Sequence, residues 1–432
     1  MGCAASISGR SGKAADVVPA PRTEAPKGGS QALAKSPTVR ALPTGGDEHA
    51  RKHTLKHTLK VDTEPLKRLQ TMIFEMGRRG KIELTSVVAR EGSGQLQGTL
   101  TNEQIPSLRQ IPGLIFSMTN ITELVMRCNQ IVQVPKEINQ LQALVLLDIS
   151  ENQLTELPAE ITELANLRFL EVAENHLTAL PETMGRLTKL ETLRANRNKL
   201  RELPDSLGSC RKLSVLNVYN NIITTLGNGL EELTELEELT ISNNVITAMP
   251  RMANWRKVKF LYVQVNKLTA LPAIDGLVEL ELLQAHQNAL KELPSMENLP
   301  LLKKIDVNCN QIRFVPDSIE RMPQIVHLNF RKNRVTTIPA SLGACRTLEI
   351  LDFGNNPVEP PIPPGLTHLS NLKTLLLDGT LVTYLPIELL GLRKLIRAHF
   401  GNCLRMDDHE TAEVVTDLRE RCKENGGWLK TG

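Results

Sequence analysis

One pattern recurs down most of this 432-residue chain, L-x-x-L-x-L-x-x-N-x-L-x-x-L-P, at intervals of 22 to 24 residues. Its asparagines are Asn129, Asn152, Asn175, Asn198, Asn221, Asn244, Asn266, Asn288, Asn310, Asn333 and Asn356. Thr380 and Cys403 hold the same place in two further coils. Leu108, Ile111 and Pro112 match the second half of a coil before the first. A unit this short cannot enclose its own apolar side chains, so the pattern demands a stack.

The spacing has a physical cause. In Leu144-x-x-Leu147-x-Ile149 the last two apolar residues alternate with a polar one, which places both on one face of a short strand. Asn152 then turns the chain, because a side-chain amide can bond backbone groups of its own and the neighbouring coil. Leu154 and Leu157 fill the same interior, Pro158 ends the turn, and Ile161 with Leu164 anchor a short convex segment. Each buried Leu contributes about 1.5–3 kcal/mol, but only once coils above and below close over it. The expected fold is therefore an α/β solenoid with a concave parallel sheet and convex helical or 3-10 turns. About thirteen coils at ~4.8 Å give an inner arc near 60 Å.

Both ends need covers. Thr63 suits an N-cap and Pro65 a first turn, and Leu66, Leu69, Ile73 and Met76 recur at helical spacing before Gly77. At the other end Val414, Val415, Leu418 and Cys422 form an apolar stripe, and Gly426-Gly427 stop the helix. The chain divides into a tail at 1–61, a cap helix with a degenerate repeat at 62–112, the array at 113–403 and a second cap at 404–432.

This is the leucine-rich-repeat signature. Segments such as "LLDISENQLTELPAEITEL" at 146–164 and "LEVAENHLTALPETMGRL" at 170–187 resemble intracellular leucine-rich-repeat proteins of the 23-residue, Ras-group-like type. The proline-rich "NNPVEPPIPPGL" at 355–366 resembles a late coil of that group. The resemblance covers about 300 residues. It implies a horseshoe of a family that binds proteins and rarely catalyses. Leu226-Gly227 and the 22-residue coils depart from the group's convex motif.

The first sixty residues differ in kind. They open Met-Gly-Cys-Ala-Ala-Ser, and Gly2 followed by Ser6 fits N-myristoylation with Cys3 placed for palmitoylation. One myristoyl chain binds a bilayer only weakly, and a second chain makes attachment durable. Ten Lys and Arg face four Asp and Glu in residues 1–60, a net of +6 out of +3 for the whole chain, so the remainder carries −3. Each basic residue near an anionic leaflet adds about 1 kcal/mol. The Gly-, Pro-, Ala-, Ser- and Lys-rich composition reads as disordered. His49, His53 and His57 recur every four residues, but within a duplicated His-Thr-Leu-Lys tetrapeptide that reads as solvated tail and not as a metal site.

Seven cysteines without C-x-x-C spacing suit a reducing compartment. The N-terminus lacks the apolar core of a secretion signal. The expected address is the cytosolic side of a membrane, plasma or ciliary, with a cytosolic pool.

Structural positions are common to every coil and cannot encode a partner. The positions six, four, two and one before each asparagine can, because they lie on the open face of the sheet. Two of the three tyrosines, Tyr219 and Tyr262, fall there. Tyr and Arg bury large areas while keeping a polar tip. The expectation is a protein partner across the middle of the concave face, anchored by Tyr219 and Tyr262 and contacted by Arg194, Arg197, His286 and Arg331. The alternative is that these aromatics only shield neighbouring coils.

No phosphate-binding loop, H-E-x-x-H or G-x-S-x-G occurs, and too few residues lie outside the array for a catalytic domain. No enzyme activity, cofactor, metal or small-molecule substrate is expected. The interrupted basic patches and net −3 argue against nucleic acid. Two roles remain open beside a membrane-tethered adaptor. One is a structural component of a cytoskeletal or ciliary assembly. The other is regulation in a phosphatase or small-GTPase pathway.

Overall fold

The asparagines of the repeat form a continuous internal spine. Asn152 Nδ2 donates to the Met126 carbonyl of the coil before it and to Ile149 and Ser150 in its own coil, each at 3.0 Å. Its Oδ1 accepts from the Ile131 N–H at 2.9 Å. The same donation to the preceding coil recurs at every asparagine from Asn175 to Asn356. Each amide thus closes its own turn and ties it to the coil before. The computed structural model describes residues 63–85, 107–401 and 404–431. The tail, with Gly2 and Cys3, lies outside the described residues, as does Cys403.

Among the described residues fifteen three-residue strands form one parallel sheet in sequence order, each paired only with its chain neighbours. It runs from β1 (Lys81–Glu83) and β2 (Glu123–Val125) to β14 (Arg397–His399) and β15 (Trp428–Lys430). The central residue of each strand points inward: Leu147, Leu170, Leu193, Leu216 and Leu239 are all fully buried. This is the expected solenoid.

The residue before each asparagine takes φ between 53° and 57° in eleven successive coils, from Cys128 to Asn355. Gly379 holds that place in the next coil, at φ 68°. This left-handed residue swings the chain out of the strand, and its N–H donates to the next coil, as from Arg197 to Tyr219 at 2.7 Å. Most coils then continue into a 3-10 turn such as Ala159–Glu163. The coils after Asn244, Asn266 and Asn288 contain none. These three coils are 22 residues long against 23 elsewhere in the run from Asn129 to Asn356, so one residue is missing where the turn would form. In the first of them Trp255 fills the interior, fully buried, and its Nε1 donates to the Leu230 carbonyl at 2.9 Å.

The caps extend the sheet as well as covering it. The first helix, α1 (Thr63–Arg78), buries Ile73 and packs Leu69 and Met76 on the core. Gly77 does not stop it. A Cβ there would strike the Met118 sulfur, so this glycine permits close packing, and the chain turns at Gly80, φ 74°. The second, α2 (His409–Glu424), starts at Asp408, whose carboxylate accepts from the Thr411 N–H at 2.9 Å. Its Val414, Val415, Leu418 and Cys422 form a fully buried face. The expected stop at Gly426-Gly427 is followed by β15, a strand that the repeat pattern does not announce.

Candidate protein-binding face

Strand register lines the outward side chains into columns. One column, four residues before each asparagine, runs Glu171, Arg194, Asn217, Thr240, Tyr262, Gln284 and Asp306. The column two residues before holds Ala173, Asn196, Tyr219, Ser242, Gln264, His286, Asn308 and Arg331. Strand pairing sets neighbouring coils about 4.8 Å apart, so residues in adjacent coils of one column lie within side-chain reach of each other.

Tyr219, Tyr262 and His286 fall within four successive coils, whose strands are β6 (Val215–Asn217), β7 (Glu238–Thr240), β8 (Phe260–Tyr262) and β9 (Leu282–Gln284). All three side chains are half-buried. They are neither core residues nor free surface, and a partner that covers them removes the remaining exposed area from water. Burial raises the Tyr262 hydroxyl above its usual range, with Glu238 adding to the effect. Burial also lowers His286 and His327 below the usual imidazole range. Lys304 opposes protonation of both, and Asp306 favours it.

Two buried polar atoms here lack partners: Gln264 Oε1 and His286 Nδ1. They belong to adjacent coils of one column. An unpaired buried group costs about 1–3 kcal/mol, so this is the place on the face where the free chain is least satisfied.

The three arginines of the face each stand in an ion pair. Arg194 and Arg197 each reach back one coil, to Glu171 at 2.6 Å and Glu174 at 2.8 Å. Arg127 does the opposite, reaching forward to Glu151 at 2.9 Å. Acidic and basic side chains of neighbouring coils are thus interlocked, and they line an open depression of about 400 Å³. Arg331 reaches two coils ahead, donating to both Asp378 oxygens at 2.9 and 2.5 Å, with Asp352 at 3.4 Å. It passes over Gly354, where any Cβ would collide with the guanidinium. The Arg331 pair holds Asp378 below the usual carboxylate range, whereas burial raises Asp352. In the free chain all three arginines stand in ion pairs, with Arg194 and Arg197 about half exposed and Arg331 more enclosed.

The Arg331 network was readable in principle, since Arg331, Gly354 and Asp378 occupy one column in three successive coils. Matching residues within a coil misses a bridge that skips one. Cys210 and Cys345 behave as packing residues: each Sγ points at a carbonyl of the coil before, and burial pushes both thiols up to about 11. Among the described residues no group of His, Cys, Asp or Glu is arranged to hold a metal. Among the same residues no helix is long and apolar enough to cross a membrane.

Family models for leucine-rich repeats match residues 119–177 and 160–246. A search of curated protein sequences returns no match. Among solved structures, a leucine-rich-repeat protein of Leptospira interrogans is similar at 26% identity and a TM-score of 0.59, over 72% of this chain and 86% of that one. An internalin of Listeria monocytogenes aligns at 23% identity and 0.60, over 68% and 84%. The Arabidopsis receptor kinase HAESA, crystallised with the peptide hormone IDA and the co-receptor SERK1, aligns at 21% and 0.56, over 69% of this chain and 54% of its own. Repeat sequence, strand order and these likenesses together make the array a leucine-rich-repeat solenoid.

Proposed function

We propose that this chain is a non-catalytic scaffold that binds a protein partner on the open face of its sheet, and that acylation at Gly2 and Cys3 with the basic tail tethers it to the cytosolic face of a membrane. One observation carries the first half: Tyr219, Tyr262 and His286 stand half-buried within four successive coils, beside two unpaired polar atoms. Sheet-face residues have no core to fill, so aromatics there are spare binding area. The Gly2, Cys3 and Ser6 pattern and the +6 tail support the second half.

The test of the face is partner capture by the wild-type chain and by Tyr219→Ala/Tyr262→Ala. Capture drops at least about tenfold, as for a hot-spot pair, while the melting curve stays in place. Undiminished capture rejects the face. The test of the tether is Gly2→Ala followed by fractionation. The variant moves from the membrane pellet to the soluble fraction. Retention on a detergent-insoluble assembly favours a structural component of the cytoskeleton or cilium instead.

A further inference from the structure

The charges on the sheet face are sorted by coil. The coils before β6 carry Asp148, Glu171, Arg194 and Arg197, and those after β9 carry Asp306, Arg331 and Asp378. Between them lie four coils with twelve positions on the three inner columns, four, two and one before each asparagine. None of the twelve is Asp, Glu, Lys or Arg. They are amides, hydroxyls, the two tyrosines, Val265 and His286. Glu238 stands at the rim, on the column six before, where its carboxylate accepts from the Thr240 hydroxyl at 3.2 Å.

This neutral window has a ligand chemistry. A charged side chain laid over its centre loses hydration and gains no counter-charge from the inner columns. Amide side chains carry both a donor and an acceptor, and so does each residue of a polypeptide backbone. Some amides already pair with each other, as Asn243 Nδ2 does with Asn220 Oδ1 at 2.6 Å. Gln264 Oε1 and His286 Nδ1 pair with nothing. Tyr219 and Tyr262 flank them with flat area that packs apolar or aromatic side chains. From β6 to β9 is three strand spacings, about 14 Å, the length of about four extended residues.

We infer that the neutral window between β6 and β9 binds an extended, uncharged segment of a polypeptide, read through its main chain by Gln264 and its neighbours. The inference rests on the protein-binding reading of the sheet face and names the class of segment that face accepts.

The test uses the full chain and a displayed library of random eight-residue peptides. Enriched peptides contain about four consecutive residues free of Asp, Glu, Lys and Arg, the length of the window. Their affinity changes less than about twofold between roughly 50 and 500 mM salt, because no charge pair is formed. Gln264→Ala, Tyr262→Ala and the charge-inserting Thr240→Lys each weaken them at least about tenfold, while Arg194→Ala and Arg331→Ala change them less than about twofold. Melting curves verify that every variant is folded. Enrichment of charged peptides that salt and Arg194→Ala both weaken overturns the inference and leaves the face reading standing. Failure to enrich any peptide overturns it too, as does Tyr262-dependent capture of neutral oligosaccharides in place of peptides. Peptides that bind the Tyr219→Ala/Tyr262→Ala chain as well as wild type overturn both readings together.

Discussion

Val265 sits at φ 56°, a conformation that a β-branched residue adopts only under constraint. Its neighbours in the same place are mostly Asn, Glu, Gln or Cys, and the coil of Thr380 uses glycine. The left-handed region costs an ordinary L-residue about 1–2 kcal/mol, and Asn tolerates it best after Gly. Val265→Asn therefore raises stability by about 1 kcal/mol, seen as a higher urea midpoint with unchanged circular dichroism. An unchanged or lower midpoint means that the valine contributes packing that outweighs its strain. His286 and His327 make a second prediction at this scale. Burial depresses both imidazoles, against a model-peptide value of about 6.5, so the folded chain binds fewer protons than the unfolded one below that pH. Stability contributed by the neutral rings is then full above about pH 6.5 and is lost as the pH falls below it. Lys304 reinforces this and Asp306 moderates it. The urea midpoint drops between about pH 7.5 and pH 5, and His286→Gln/His327→Gln removes part of the drop. An equal drop in the double variant excludes these two groups as its source.

Turns and strands were legible because every coil repeats one solution. The asparagine positions located the turns, and the alternating leucines located β2 to β14. What the period could not show lies where it breaks. β1 and β15 have no repeat motif of their own and exist because an open sheet end pairs with whatever backbone the cap brings alongside. The missing 3-10 turns follow from a single residue fewer, visible as a spacing of 22 but without structural meaning until the coil closes. The candidate site divides the same way. Tyr219, Tyr262 and His286 were found by counting back from the asparagines. The commitment of Arg194, Arg197 and Arg331 to neighbouring carboxylates depends on rotamers, which the count does not specify. The turn itself is the testable element. Asn244→Ala strips partners from the Ile223 N–H and from the Val218 and Ile241 carbonyls at once. At about 1–3 kcal/mol per stranded group, the loss is about 3 kcal/mol or more. The half-buried Asn139, whose side chain bonds the Glu163 carboxylate and no backbone group, gives the control. Asn139→Ala stays within about 0.5 kcal/mol of wild type. Equal losses at the two positions would remove the spine from the account of stability.

Across the whole array, fold and function have different grain. Every strand pairs only with the coils on either side, so stability is close to a sum of coil and interface contributions. Any one internal coil is therefore dispensable for folding, provided the cut preserves the period. The chemistry on the face is not periodic, and each coil contributes its own outward residues. Two deletions separate these properties. Removing residues 130–152 joins Asn129 to Gln153 in register and takes away Asp148 and Glu151. Removing residues 245–266 joins Asn244 to Lys267 in register and takes away Tyr262, Gln264 and Val265. Both shortened chains keep the circular dichroism of the parent and unfold at modestly lower urea, since each loses one interface. Only the second loses the partner. An out-of-register deletion of about half a coil, by contrast, turns the leucines of every following strand away from their places in the stack and abolishes cooperative unfolding. If the two in-register deletions impair capture equally, the partner reads the length or curvature of the stack and not the residues of its middle coils.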